Sequence, residues 1–200
     1  MSQMIISIGR EYGSGGHEIA TKLSEHFGLP LYDHNLMREI ANERNLDIKE
    51  IEKYDEKPAS KLFSRKVNGM SSSIQENIAN LQFDYLRKMA KEGKSFIVVG
   101  RCSDTVLKES SKNVITIFVL GDKEVKMNRI VKLHNISESD AKEKMKKHDK
   151  YRKAYHNSHC EGKWGDSRSY DITINSSRMN MDDVVKTLIN YIDMRKADFE

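Results

Sequence analysis

The chain has 200 residues, of which 38% are hydrophobic and 32% carry a charge. This length suits one domain with its own core, and the composition excludes a disordered tail. The net charge is only +4 at pH 7, so the chain lacks the strong overall basic bias of proteins that coat nucleic acids.

Five short apolar runs, rich in β-branched residues, predict five strands. They span Met4 to Ile8, Leu29 to Tyr32, Phe96 to Val99, Val114 to Leu120 and Tyr170 to Ile174. The third and fourth runs are almost continuously apolar, which is typical of strands buried on both faces of a sheet.

Between the strands, apolar residues recur with helical spacing. One such segment ends at Gly28, a second begins near Leu36, a long third ends before Gly93, and the last follows Asn180, a residue type that caps helices. Strands that alternate with helices predict a parallel sheet with helices on both faces, in which ligands bind at the carboxyl ends of the strands. Residues 53 to 73 lack clean periodicity, and we predict a mobile connection inside an inserted lobe there.

A glycine-rich loop joins the first strand to the first helix. It reads Gly-Arg-Glu-Tyr-Gly-Ser-Gly-Gly-His-Glu from residue 9 to residue 18. The backbone N–H groups of such a loop, together with a helix N-terminus, can bind phosphate. The alternative is a tight turn whose glycines only allow close packing. We predict that this loop binds phosphate through Gly13, Ser14, Gly15, Gly16, His17 and Glu18.

This loop departs from the usual P-loop, G-x-x-x-x-G-K-[ST], because Gly16 stands at the lysine position. In P-loop enzymes that lysine reaches the terminal phosphates, so another cation has to replace it if this chain transfers phosphoryl groups. The candidates are Arg10 within the loop, His17 at the start of the helix, and the segment from Lys142 to Lys153, which has a net charge of +5.

Other candidate site residues follow the second and third strands. Asp33 follows the second strand, where it can cap the next helix, contact a ligand, or do both. Arg101 and Asp104 follow the third strand, where an arginine more often faces the ligand crevice than forms a surface ion pair. In the basic segment, Asp149 and Arg152 are three residues apart, so on a helix the carboxylate can orient the guanidinium toward a phosphate.

The two cysteines, Cys102 and Cys160, lack the spacing of metal ligands or of a disulfide framework. We expect free structural thiols, as in a reducing cytosol. No run approaches the roughly 20 apolar residues of a membrane span, and the N-terminus lacks the apolar region of a signal peptide. We therefore expect a cytoplasmic protein that binds neither membranes nor nucleic acid.

These motifs together resemble the cytidylate kinase-like family, a branch of the P-loop nucleoside monophosphate kinases. The resemblance spans nearly the whole chain. It rests on the glycine loop and on Tyr32-Asp33, Val99-Gly100-Arg101, Asp149-x-x-Arg152, Trp164-Gly165-Asp166, Tyr170-Asp171 and Asn175.

The resemblance implies a single α/β domain over residues 1–200, a three-layer sandwich of the P-loop NTPase type with five parallel strands and helices on both faces. The core would comprise residues 1–33, 94–139 and 166–200. An inserted helical lobe for the monophosphate would occupy about 34–93, and a lid about 140–165.

The activity that the resemblance implies is transfer of a phosphoryl group from ATP, with Mg²⁺, to a pyrimidine nucleoside monophosphate such as CMP or dCMP. By this likeness the catalytic candidates are Arg10, His17, Arg101, Asp149 and Arg152, and the acceptor contacts Asp33, Arg38, Arg101 and Asp104. No residue is assigned as a metal ligand. Two alternatives remain open: a phosphotransferase for another small molecule, and a nucleotide-binding sensor that lost catalysis with the lysine. The sequence also leaves open whether the chain is a monomer or a homodimer.

Overall fold

The computed structural model describes residues 2–44, 66–67, 70–71 and 74–199. Its strands, in chain order, are β1 (Ile5–Arg10), β2 (Leu31–Tyr32), β3 (Lys66–Val67), β4 (Met70–Ser71), β5 (Phe96–Val99), β6 (Val114–Leu120) and β7 (Ile172–Asn175). Five of them form one parallel sheet in the order β2-β5-β1-β6-β7, while β3 and β4 form a small antiparallel pair.

The helices of the described residues are α1 (Gly16–Phe27), α2 (Leu36–Arg44), α3 (Ile74–Lys91), α4 (Ser103–Val106), α5 (Lys123–His134), α6 (Glu138–His159) and α7 (Met181–Lys196). A short 3₁₀ helix spans Ser167–Ser169. Gly28 ends α1 in a left-handed conformation, with φ of 63°. The side chain of Asn180 caps α7 by accepting a hydrogen bond from the N–H of Asp183.

Two apolar cores cover the two faces of the sheet. On one face, α1 and α7 pack against alternate residues of β1, β5 and β6, including Ile6, Ile8 and Ile117. On the other face, α2 and α3 pack against the intervening residues, including Ile5 and Phe96. Because successive side chains of a strand point to opposite faces, this division follows from the continuous apolar runs of the central strands. The predicted three-layer fold is confirmed.

The carboxyl ends of the parallel strands bring the candidate site residues together. Strand β1 is central, with β5 on one side and β6 on the other, and it ends at Arg10, which pairs with Val119. This strand is longer than the predicted Met4 to Ile8. Arg10 is therefore the last residue of a strand and not part of a loop, as we had expected.

The predicted segments are only partly matched by the structure. The last strand begins at Ile172, two residues later than predicted. Two helices, α5 and α6, were not delineated from the sequence, although a helix was assumed around Asp149 and Arg152. Of the predicted connection at 53 to 73, the parts 53–65, 68–69 and 72–73 lie outside the described residues, and the rest forms β3 and β4. None of the described helices has the length and apolar content needed to cross a membrane.

Replacement of Leu188 by alanine tests the core between α7 and the sheet. Leu188 is fully buried, so Leu188→Ala is expected to lower the free energy of unfolding by about 2–5 kcal/mol. Leu133→Ala is the matched control, because that leucine is 74% exposed and its loss should change stability by less than about 0.5 kcal/mol. Urea unfolding followed by circular dichroism measures both, and equal effects would contradict the assigned core.

Candidate active site

The glycine loop runs from the end of β1 into α1 and presents its backbone to a cleft. Gly13 and Gly15 both have φ of 81°, a left-handed conformation that favours glycine. The first backbone hydrogen bond of α1 runs from the N–H of Ile19 to the carbonyl of Gly15. The N–H groups at the start of α1 precede that bond and have no partner within the helix, so they are available to an anion.

Gly16 lies against Arg10, and this contact explains the absence of a side chain there. A Cβ atom at residue 16 would lie 2.6 Å from Cβ and 3.0 Å from Cγ of Arg10. These are atoms next to the backbone of a central strand, so they cannot swing away. The space that a side chain at position 16 would need is thus taken by the stem of Arg10.

The cleft over the loop has a volume of about 670 Å³, within the range of small-molecule sites. Its described lining carries three arginines, Arg10, Arg129 and Arg152, and three histidines, His17, His34 and His134. The carboxylates on the same lining are Glu11, Glu18 and Asp33. The three guanidinium groups, together with the backbone N–H groups at a helix N-terminus, can bind a polyanion.

Asp33 is the meeting point of β2, the glycine loop and the turn after β5. Its Oδ2 lies 2.7 Å from Nδ1 of His17, and its Oδ1 lies 3.6 Å from Nη2 of Arg10. Its backbone carbonyl accepts a hydrogen bond of 3.2 Å from Nη2 of Arg101. The carboxylate therefore faces the cleft instead of the start of α2, and of the two alternatives the capping role is wrong.

The side chains of His17 and Ser14 do not take the places of the lysine and the serine of a usual P-loop. The side chain of His17 is 59% exposed and turns toward Asp33. Ser14 is fully buried, and its hydroxyl donates to the carbonyl of Glu11 at 2.8 Å. In this arrangement the hydroxyl of Ser14 holds the loop in shape, while Glu18 lines the cleft from the first turn of α1.

A lysine from α5 anchors the loop from outside the cleft. Nζ of Lys126 lies 2.7 Å from Oε2 of Glu11 and 3.8 Å from Oδ2 of Asp149, and its side chain is only 9% exposed. Arg129, one turn further along α5, donates from Nη1 to the carbonyl of Gly13 at 2.9 Å. Both residues were missed from the sequence. The spacing of Met127, Ile130 and Val131, followed by Asn135 at the end of the helix, is the signal that could have revealed α5.

Asp149 binds the loop through a hydrogen bond, and it interacts with Arg152 through charge instead of the direct pair that we had expected. Its Oδ1 accepts a hydrogen bond of 2.7 Å from the backbone N–H of Tyr12. Burial raises the pKa of this carboxyl group, although the N–H of Tyr12 and the charge of Lys126 act in the opposite direction. The guanidinium of Arg152 instead lies 5.6 Å from the ring centroid of Tyr12, in a cation–π contact.

The ring of Tyr12 also holds α5 and α6 together. It stacks on His148 with a centroid separation of 4.2 Å, and its hydroxyl lies 3.0 Å from Nε2 of His134. A residue in the middle of the loop is thus fixed by both helices, so the loop and α6 are positioned as one unit.

A second, smaller cavity lies beyond Arg10 on the side of β5. Its volume is about 30 Å³, which is room for one or two water molecules. The predicted acceptor residues Arg101 and Asp104 line it and are both buried. Asp104 is paired with His156 of α6, with 2.8 Å between Oδ2 and Nε2. Arg38 is exposed on α2 and is absent from the described lining of either cavity.

The remaining motifs have packing roles. Trp164 and Tyr170 pack on Phe118, with ring centroids at 5.4 Å and 5.0 Å, and both line the smaller cavity. Asn175 donates to Asp122 and accepts from the N–H of Ser177, which is turn chemistry. Tyr155 is buried as expected for a packing residue, whereas Tyr151 is exposed.

Among the described residues, no group of three or more His, Cys, Asp or Glu side chains is arranged to hold a metal ion. Magnesium in nucleotide sites is held by one or two carboxylates together with phosphate and water. Glu18 and Asp33 on the cleft fit this less demanding requirement.

Comparison with solved structures defines the class of the fold. A crystal structure of shikimate kinase from Aquifex aeolicus, 17% identical, superposes with a TM-score of 0.51 and covers 97% of this chain and 99% of its own. A crystal structure of an uncharacterized protein from Eubacterium ventriosum is more similar, with 40% identity, a TM-score of 0.76 and coverage of 96% of this chain and 99% of its own. The fold is that of the P-loop kinases.

Within that class, residues 5–178 match the model of the cytidylate kinase-like family, and the chain belongs to this family. Among curated relatives, a cytidylate kinase of Methanocaldococcus jannaschii is 28% identical over 96% of this chain and 99% of its own length. A cytidylate kinase of Pyrococcus horikoshii is 25% identical over 96% of this chain and 91% of its own. The family resemblance drawn from the motifs is confirmed.

The close contact at Gly16 predicts that a lysine cannot simply be restored there. Gly16→Ala is expected to lower the free energy of unfolding by about 1–3 kcal/mol, since the new Cβ overpacks the end of β1. Glu25→Ala on the exposed face of α1 should change it by less than about 0.5 kcal/mol. Thermal and urea unfolding of the two variants measure these changes. An unchanged free energy of unfolding in Gly16→Ala would show that the structure accommodates a Cβ atom at residue 16, against the prediction.

Proposed function

We propose that this protein transfers the γ-phosphoryl group of ATP to a pyrimidine nucleoside monophosphate, CMP or dCMP. The observation that carries the proposal is that Arg10 and Arg152 line both cavities. Two guanidinium groups thus stand at the boundary between a cleft that suits a nucleoside triphosphate and a pocket that carries the candidate acceptor residues. A phosphoryl group in transfer has to cross such a boundary.

The larger cleft would bind the donor. Phosphate oxygens would lie over the N–H groups at the start of α1, where the helix dipole favours negative charge. Arg129 borders the cleft beside Gly13 and Gly15 and would add a further positive charge.

Arg10 is the candidate that best replaces the missing P-loop lysine. It approaches from the end of β1 through the space beside Gly16, where the lysine side chain would otherwise begin. Its guanidinium is already oriented by Asp33 at 3.6 Å. Arginine stays protonated at all physiological pH values and can bind two phosphate oxygens at once, so it can neutralise charge as lysine does. His17 is less suited, because its imidazole is turned toward Asp33.

The acceptor would bind in the smaller pocket, beside Arg101 and Asp104. Its attacking phosphate oxygen is already an anion, so no general base is needed, and catalysis would consist of positioning and charge neutralisation. Arg152 of α6, which lies over the ring of Tyr12 and lines both cavities, would also contact the phosphoryl group. When bound, Mg²⁺ supplies neutralisation of the phosphate charge, with Glu18 and Asp33 the carboxylates placed to hold it.

The choice of a pyrimidine acceptor draws support from the family and from relatives that are named cytidylate kinases. At 24–28% identity these relatives leave the acceptor to be tested on this chain.

The test is ADP production from ATP and Mg²⁺ with CMP, dCMP, UMP, AMP and GMP in turn, and with no acceptor as control. We expect turnover with CMP or dCMP well above the control, with the diphosphate product identified by chromatography. Equal ADP production with and without acceptor would mean hydrolysis only. Binding of ATP without turnover on any of these acceptors would refute the proposal and favour another acceptor or a nucleotide sensor.

The role of Arg10 is tested by Arg10→Met, which keeps the unbranched stem beside Gly16 and removes the charged guanidinium. We expect kcat to fall about 10²–10³-fold, the cost of losing one preorganised group that neutralises charge in a transition state. The kcat of Arg10→Lys should fall less than that of Arg10→Met, because lysine keeps a positive charge.

The matched control for this experiment is Arg195→Met at the far end of α7, where the arginine pairs with Asp198. It should leave kcat unchanged. If Arg10→Met folds normally and turns over at the wild-type rate, a different cation replaces the lysine.

A further inference from the structure

The two cysteines meet in the folded chain although they are distant in sequence. Cys102 lies in the turn between β5 and α4, and Cys160 is the residue that ends α6. Both are free thiols, as expected from the sequence. The side chain of Cys160 packs on the apolar cluster that contains Cys102, Val106 and Tyr155. This contact was not visible in the sequence.

A histidine and a carboxylate complete the cluster. His156 lies one turn before Cys160 on α6, is 4% exposed, and is paired with Asp104 at 2.8 Å. Its imidazole also interacts with the thiol of Cys160. Asp104 and His156 thus form a carboxylate–imidazole pair one helical turn from the Cys160 thiol, next to a second thiol.

The electrostatics of this cluster favour a thiolate at Cys160. The neighbouring Cys102 thiol and, after it, the His156 imidazole lower the pKa of the Cys160 thiol, and they outweigh the burial that would raise it. Burial alone would lower the pKa of His156, but its contacts with Asp104 and Cys160 raise it. A thiolate paired with an imidazolium is the reactive form of cysteine.

Other charged and titratable groups also face the pair. Arg101 and Arg152 line the adjacent cavity, which Cys102 also lines. Burial raises the pKa of Tyr170, so this phenol is neutral and does not compete. His159 packs on Tyr155 at a ring separation of 4.9 Å.

We propose that Cys160 and Cys102 form a peroxide-sensitive dithiol, in which Cys160 attacks the oxidant and Cys102 closes the disulfide. The two roles follow from exposure, because Cys160 is partly exposed whereas Cys102 is only 3% exposed. The sequence analysis assigned both thiols a structural role alone. The proposal adds a reversible modification site to this part of the fold.

The reaction with hydrogen peroxide balances as two displacements. The Cys160 thiolate forms a bond to one peroxide oxygen, the O–O bond breaks, and hydroxide leaves and takes a proton from solvent to become water. Cys160 is then a sulfenic acid. The sulfur of Cys102 attacks the sulfur of Cys160, the S–O bond breaks, and the hydroxyl leaves with the thiol proton of Cys102 as water. Two electrons have passed from the two sulfur atoms to the peroxide, and a dithiol reductant reverses the change.

The disulfide would lock the smaller cavity. A volume of about 30 Å³ cannot hold a nucleotide, so the turn after β5 and the end of α6 have to separate for an acceptor to enter. A covalent bond between Cys102 and Cys160 would prevent that separation. This consequence rests on the proposed function, whereas formation of the disulfide does not.

The experiment treats the reduced full-length protein with hydrogen peroxide, blocks remaining thiols with iodoacetamide and maps peptides by mass spectrometry. We expect a peptide that joins Cys102 to Cys160 and has lost two hydrogen masses, and its disappearance after treatment with dithiothreitol. In Cys102→Ser, dimedone should trap a sulfenic acid at Cys160. In Cys160→Ser, Cys102 should stay reduced. Absence of the joined peptide, or oxidation of Cys102 in Cys160→Ser at the wild-type rate, would overturn the proposal.

His156→Gln tests the source of the reactivity. At neutral pH, alkylation of Cys160 by iodoacetamide should slow about 10-fold, since loss of the imidazolium reduces the thiolate fraction. The same variant should regain the wild-type rate at alkaline pH, where any thiol is ionised, which a merely structural defect would not allow. A circular dichroism spectrum checks that it folds, and an unchanged alkylation rate at neutral pH in a folded variant would exclude His156 as the activating group.

An activity arm separates this proposal from the kinase proposal. If the disulfide forms and phosphorylation of CMP or dCMP falls until dithiothreitol is added, both are supported. If the disulfide forms in a protein that phosphorylates none of the five acceptors, the dithiol stands and the proposed function fails. If the protein phosphorylates CMP or dCMP but no disulfide forms, the proposed function stands and the dithiol proposal fails.

Discussion

The contact between Arg10 and Gly16 sets the geometry of the whole site. Arg10 cannot move away, because β1 is bonded to β5 on one side and to β6 on the other. Residue 16 must therefore lack a side chain, and the loop can come close to the end of the strand. In the proposed function this constraint rearranges the chemistry of the usual P-loop: the positive charge would come from the strand before the loop, and the helix after the loop would contribute its backbone N–H groups and Glu18.

Charge pairs that are largely removed from water join the loop to α5 and α6. The three charged side chains are largely shielded from water: Lys126, Glu11 and Asp149. Removing the partner of any one of them would leave a shielded charge unpaired and would destabilise the fold. Such a group of charges adds little net stability but does specify one arrangement. Asp149 holds the backbone of Tyr12, and the ring of Tyr12 packs against the guanidinium of Arg152. Asp149 therefore helps to position Arg152 through Tyr12, whereas we had expected a direct contact between the two side chains.

The sequence predicted the fold better than the site. All five strands of the main sheet, and helices such as α1 and α7, follow from local signals: apolar runs, helical spacing, and caps such as Gly28 and Asn180. The loop and the residues after β2 and β5 could also be placed, because parallel strands end at one edge. By contrast, the partners of these residues depend on contacts between distant segments. Nothing near Lys126 points to Glu11, and nothing near Cys160 points to Cys102. The partners of Asp33 could not be predicted either, because its local sequence fits a helix cap as well as a ligand contact.

The two sides of the smaller cavity differ in how firmly they are held. The turn after β5 is anchored in the sheet, since Gly100 donates to the carbonyl of Ile8 and the buried hydroxyls of Ser7 and Ser103 lie 2.7 Å apart. The end of α6 is held there by side chains, chiefly His156 on Asp104 and the hydroxyl of Tyr155 on Gln82. Side-chain contacts of this kind can open without disturbing the sheet, so widening of the pocket has to come from α6. If an acceptor enters the pocket as proposed, Cys102 would lie on the fixed side and Cys160 on the side that moves, so a bond between them would oppose the opening.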